Sequence, residues 1–300
     1  VAVKSFGLED RVGDANSRRW IETRFLTRQQ GEWGGYSYAW NADQTEAVLV
    51  EKEGRDAVFA VTDADGQQRE HKWRFPSRTE CMVCHSRAAK FVLGLSSMQL
   101  NREHDYGGVK ANQLDVFEWL GLLNVNWKSD LETALKRELS VDEAAKVQAQ
   151  LKVGGGQRSV ANTTMLARAG KHYDRLAEPY DESADVTLRV RSYLHSNCAQ
   201  CHVSAGGGNA EIQLDIATTP DKAKLMDVAP LHDKFGKPDA RLVAPGSPER
   251  SILLHRLSIR GRGQMPQLAT TIVDQRAVDL VTRWISELPQ KEPSAPAASP

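Results

Sequence analysis

Two pentapeptides, Cys81-Met82-Val83-Cys84-His85 and Cys198-Ala199-Gln200-Cys201-His202, hold all four cysteines of this 300-residue chain. In each, two residues separate the cysteines and a histidine follows at once. A disulfide framework would scatter its cysteines through loops at varied spacings. A four-cysteine zinc ribbon keeps its pairs roughly 15–20 residues apart, far closer than Cys84 and Cys198. A thioredoxin-like redox pair has no need of the trailing histidine. Covalent haem attachment uses every element: two thiols on one helical turn add to two vinyl groups, and the adjacent imidazole faces the iron. The pattern points to two covalently bound haem c groups. Cys81, Cys84, Cys198 and Cys201 form the thioethers, with His85 and His202 as proximal iron ligands.

The opposite face of such an iron usually takes Met or His. For the second haem the candidate is Met265, in the loop Gly261-Arg262-Gly263-Gln264-Met265-Pro266, where no apolar periodicity explains a methionine. Met226 lies nearer in sequence but sits in an ordinary amphipathic segment. For the first haem Met98 is the leading candidate, with Met165, His71, His104 or an open position as alternatives. Arg78, Arg241 and Arg262 are possible partners for the propionates, through bidentate pairing.

Working outward from the two motifs, residues 1–76 carry short apolar or alternating runs at 1–6, 21–27, 36–40, 47–50, 57–61 and 71–75. Turn residues separate them, among them Gly31, Gly34-Gly35, Gly54 and Gly66. This reads as a β-rich N-terminal domain, with Trp33, Trp40, Trp73, Tyr36 and Tyr38 as its core or as a wall over a haem edge. Residues 77–184 turn helical at 114–120 and 131–151, with glycines 154–156 closing the second helix. These glycines lack the Lys-Ser/Thr of a phosphate loop and read as a turn. Residues 185–290 hold a helix at 186–197 that delivers Cys198, another after Pro248, and a last one at 273–288 bearing Trp284. The expected fold class is α+β: the β-rich domain (1–76), then two mainly α-helical cytochrome c-type haem domains (77–184 and 185–290). A Pro/Ala/Ser-rich tail (291–300) reads as a linker or disordered segment.

The 39 basic and 39 acidic side chains cancel, so no electrostatic footprint for nucleic acid or an anionic membrane stands out. No run approaches the ~18 apolar residues of a membrane span. The first residue, Val1, lies in what reads as a strand already under way, which suggests a processed or trimmed start and leaves export open.

The C-terminal third resembles a class I cytochrome c domain. The residues that carry the likeness are Asn197 through His202, Pro245-Gly246-Ser247-Pro248-Glu249-Arg250-Ser251, Met265-Pro266 and the helix 277–288. More broadly, Val3-Lys4-Ser5-Phe6, Glu22-Thr23-Arg24, residues 36–41, Phe75-Pro76-Ser77-Arg78 and Gln99-Leu100-Asn101-Arg102 are similar to a family of bacterial secreted two-haem proteins, sometimes fused to sugar-dehydrogenase-like domains. That resemblance implies haem insertion outside the cytoplasmic membrane, hence a periplasmic or extracellular setting. It also implies electron transfer with a redox partner protein or a fused dehydrogenase domain. The expected role is therefore an electron relay rather than a catalyst. Two alternatives stand beside it: a peroxidase-like enzyme with one open iron and His104 or His71 as distal group, and a haem-bearing docking or sensing module.

Overall fold

The computed structural model describes residues 1–150, 161–204, 206–268 and 270–289. The chain forms two compact units. One is discontinuous, built from Val1–Leu93 and Glu178–Pro300; the other is Gly94–Ala177.

The discontinuous unit opens with strands β1 (Ala2–Glu9), β2 (Arg18–Gln29), β3 (Glu32–Trp40) and β4 (Ala47–Leu49), which pair antiparallel in that order. A hairpin of β5 (Arg55–Thr62) and β6 (Gln68–Phe75) follows. The β1–β2 ladder slips at Ile21: Phe6 pairs with Glu22 and Gly7 with Trp20. Such a bulge bends the strand and re-aims its side chains, and here Ile21 and Glu22 are both buried. Ile21, Ala39, Val50 and Phe75 make the apolar core between sheet and hairpin.

Glu22 is a fully buried carboxylate, and its neighbours satisfy it. Arg24 clasps both oxygens at 2.7 and 2.8 Å, Ser37 donates its hydroxyl at 2.6 Å, and the Trp73 indole N–H donates at 3.0 Å. Three strands are thereby tied to one anion. Helix α1 (Arg78–Cys84) follows β6 directly.

The inserted unit is made of short pieces: α2 (Ser97–Leu100), β7 (Glu103–Asp105), β8 (Lys110–Asn112), α3 (Gln113–Trp119), β9 (Val125–Asn126), α4 (Trp127–Leu135), α5 (Val141–Gln150) and β10 (Ala161–Thr163). Buried Asn101 organises it, donating to the Tyr173 carbonyl at 2.8 Å and accepting from Asn112 at 2.7 Å. The sequence suggests one helix over 131–151, but two are found. Lys136 ends α4 in a left-handed conformation (φ 56°). Ser140 and Glu143 then exchange capping hydrogen bonds at the start of α5.

After Glu178 the chain returns to the first unit with α6 (Val186–Cys198), α7 (Ile252–Ser258) and α8 (Gln275–Glu287). Their core gathers Val190, Leu194, Leu257, Val281, Trp284 and Ile285. Asp274 caps α8 at the Ala277 N–H and also accepts the Tyr180 hydroxyl proton.

The N-terminal stretch is β-rich, but the expected pair of mainly helical haem domains is not formed. The first motif sits on a seven-residue helix that packs on β3, in the same compact unit as the second motif. Most of the helical pattern at 114–151 belongs to the inserted unit, which contains neither motif. Apolar periodicity marks a helix and its buried face; it does not say which distant segment that face covers. The glycine turn at 154–156 and the tail at 291–300 lie outside the described residues.

Arg24→Ala is expected to strand the Glu22 charge in the core and to lower unfolding free energy by about 3–5 kcal/mol. Urea titration measures this, and a loss below ~1 kcal/mol would show that the carboxylate is not held as an anion.

Candidate functional site

Each cysteine pair lies on a single helical turn. The His85 N–H donates to the Cys81 carbonyl at 3.1 Å, and the His202 N–H donates to the Cys198 carbonyl at 2.9 Å. All four thiols are free.

Sequence fixes the first turn at both ends. Ser77 caps α1: its hydroxyl accepts from the Glu80 N–H at 3.1 Å, and the Glu80 carboxylate accepts from the Ser77 N–H at 2.7 Å. Arg74 of β6 fastens the same carboxylate at 2.9 Å. The helix then lies against β3 at Gly35, where a Cβ would stand 2.6 Å from the Cys81 Cβ and 2.9 Å from its Sγ. Gly34-Gly35 reads as a turn from sequence. It is instead mid-strand, and the missing side chain at Gly35 is what lets α1 approach.

His85 Nδ1 lies 2.6 Å from the Phe91 carbonyl oxygen. A carbonyl only accepts, so Nδ1 carries the proton, and in the neutral ring Nε2 keeps its lone pair. Phe91 is brought back to this point by a loop in which Lys90 and Phe91 are left-handed (φ 56° and 63°) and the Phe91 N–H donates to the Ser86 carbonyl. Its ring stacks on Trp33 of β3, with centroids 5.6 Å apart and planes 16° apart. The imidazole is thus oriented from the sheet, through one aromatic pair.

The second turn follows α6, with Cys198 its last residue. The Gly208 N–H donates to the Cys201 carbonyl at 3.0 Å, and a Cβ at Gly208 would fall 2.7 Å from His202 Nδ1. That nitrogen is buried and has no hydrogen-bond partner among the described residues. Burial, with a smaller contribution from the Arg256 guanidinium, pulls the His202 pKa below the usual histidine range. Arg256 of α7 also donates to the Gly263 carbonyl, and its own carbonyl accepts from the Met265 N–H, both at 2.9 Å. One residue therefore sets positive charge near His202 and pins the Met265 loop.

The two turns touch. Cys201 Sγ lies 3.9 Å from the Val83 carbonyl oxygen, and interaction between the neighbouring Cys84 and Cys201 thiols, ahead of burial, pushes the Cys84 pKa up while drawing that of Cys201 down to about 7. Burial raises Cys81 and Cys198. Among the described residues no three His, Cys, Asp or Glu side chains converge as a chelating cluster, so the motifs stand as two binding turns.

The other candidates are dispersed. Met98, on α2, and His104, on β7, belong to the inserted unit, as does exposed Met165. His71 is buried on β6, with Nε2 3.2 Å from the Thr271 hydroxyl, and burial lowers its pKa. Beside it, Phe6, Arg24, Trp73, Gln264 and Thr271 line a cavity of about 170 Å³ between the sheet and the segment that follows Met265. Phe91, Gly35, Gly208 and Arg256 are positioning residues that sequence reasoning missed; Trp33, read from sequence as core or haem wall, stacks on Phe91. Only the paired glycines left a visible signal.

Searches against family models, curated proteins and solved structures found no match to this chain.

Gly35→Ala is expected to force α1 off β3 and to cost about 1–3 kcal/mol of stability, as overpacking does. Gly34→Ala is its control, since the new Cβ would meet the Tyr36 ring at an ordinary 3.4 Å. Equal unfolding midpoints for the two variants would contradict the close approach.

Proposed function

We propose that this chain is a two-haem c-type cytochrome that relays electrons between a donor enzyme, or a fused dehydrogenase domain, and a redox partner, in the periplasm or outside a bacterial cell. The observation that carries the reading is the repeated turn: two free thiols and an imidazole in the same local geometry, twice, with His85 already held through Nδ1. Haem c, when bound, supplies a one-electron iron centre whose potential depends on axial ligands and surroundings.

The chain's residues fit that group. Cys81 with Cys84, and Cys198 with Cys201, hold it. The Phe91 carbonyl orients His85 and raises its basicity, the usual part of an outer-shell acceptor. In the second half, His202 Nδ1 and the Trp284 indole nitrogen are buried without partners among the described residues. An unsatisfied buried polar group costs about 1–3 kcal/mol, and a bound group with a polar edge offers Trp284 an acceptor. Met265, half-buried in a loop tied to Arg256, is the candidate for the sixth position there. The helical core around Val190, Val281 and Ile285 keeps water from that side. No helix of the described residues is long and apolar enough to cross a membrane.

The test is the chain produced in a host that attaches haem c. Intact mass is expected to show two covalent haems, and the reduced spectrum to show low-spin bands. Carbon monoxide is expected to leave the second haem unshifted in the wild type and to bind it in Met265→Ala. A shift in half of the wild-type haem would identify an open first iron and move the reading toward catalysis or sensing; no shift would favour a filled position, with Met98 the first residue to substitute. A chain that carries no haem after maturation would end the proposal.

A further inference from the structure

The two motifs are far apart in sequence, yet they meet inside one compact unit. Cys84 closes α1, and Cys201 stands in the turn after α6. Two observations describe the junction. Cys201 Sγ lies 3.9 Å from the carbonyl oxygen of Val83. Gly207, from the loop that follows the second motif, approaches the same oxygen, its Cβ position 3.9 Å away. The junction is therefore a packed seam between two backbones.

We infer that the two attachment turns form one two-centre site joined where Val83-Cys84 meets Cys201, so that the groups they carry lie edge to edge. This rests on the proposed haem reading. A thioether ties the rim of a macrocycle to its cysteine through one short bond. Cys201 Sγ sits against the backbone of Val83, the residue before Cys84, so the rims held by Cys84 and Cys201 are brought close together. Cys81 and Cys198 lie a helical turn back from the seam on their own helices. Their thioethers would hold the adjacent pyrrole of each ring, so that the edges at the seam would be the thioether-bearing ones. Two neighbouring irons also feel one another's charge, so the pair is expected to titrate as coupled centres.

The experiment is Soret circular dichroism on the holoprotein, after intact mass has counted its haems. With two haems present, edge-to-edge chromophores are expected to give a bisignate band. The double variant Cys81→Ser/Cys84→Ser, which keeps one haem, is expected to give a single-signed band. A single-signed wild-type band, or a bisignate band that survives in the one-haem variant, overturns the inference while leaving the proposed function standing.

If mass finds no covalent haem, the proposed function fails, and the seam is read from the thiols instead. Equilibration with glutathione disulfide removes two electrons and two protons from a thiol pair and releases two molecules of reduced glutathione. A Cys84–Cys201 link in the peptide map then supports the junction. Links confined to Cys81–Cys84 and Cys198–Cys201 refute it.

Discussion

The close approach of α1 to β3 at Gly35 governs the geometry of everything around the first motif. A helix of seven residues is too short to be stable by itself, so its position has to come from what it leans on. The capping box at Ser77 sets its first turn, the Arg74–Glu80 pair ties that turn to β6, and the bare backbone of Gly35 sets its distance from the sheet. Trp33, on the same strand, fixes Phe91, whose carbonyl fixes His85. The far end of the helix delivers Cys84 to Cys201. Move α1 outward by the width of a methyl group and all of these contacts change together.

The sheet tolerates this role because it is stiffened from within. Glu22 draws on β2, β3 and β6 at once, through Arg24, Ser37 and Trp73. A buried ion pair of this kind is a modest source of net stability, since desolvation offsets most of the attraction. Its value lies in geometry: four donors from Arg24, Ser37 and Trp73 converge on two oxygens and tie β2, β3 and β6 together. The bulge at Ile21 is the local distortion that turns the carboxylate inward.

Much of the local structure was legible in the sequence. The runs at 1–6, 21–27, 36–40, 47–50, 57–61 and 71–75 each coincide with a strand, because period-two alternation between turn residues is a local signal. Helices α6, α7 and α8 follow from three- and four-residue spacing in the same way. The Ser140–Glu143 pair carried a capping signature that splits 131–151 into two helices. What could not be read was tertiary. A glycine looks the same whether it supplies a positive φ or a close approach, so Gly35 passed for a turn. A backbone acceptor such as the Phe91 carbonyl has no side-chain signature at all. The meeting of Cys84 with Cys201, and the assignment of 94–177 to a unit of its own, depend on contacts between segments that sequence order keeps far apart. That is why an expectation of one helical domain per motif was reasonable and did not hold.

Within the inserted unit the Leu176 N–H donates to the Met98 carbonyl at 3.2 Å, and Asn101 binds the carbonyls of Tyr173 and Asp174. The insertion therefore draws its own entrance and exit together. For the host unit this changes the order of assembly. Residues 1–93 lack their C-terminal complement until residues 178 onward have been synthesised, and joining the two across a slack chain would carry the entropy of a long loop. An insertion that folds first, with its ends pinned, shortens that loop in advance. With its ends pinned it acts as a clasp, and the loop its host must close is counted from Met98 to Leu176 as one short link rather than a slack chain.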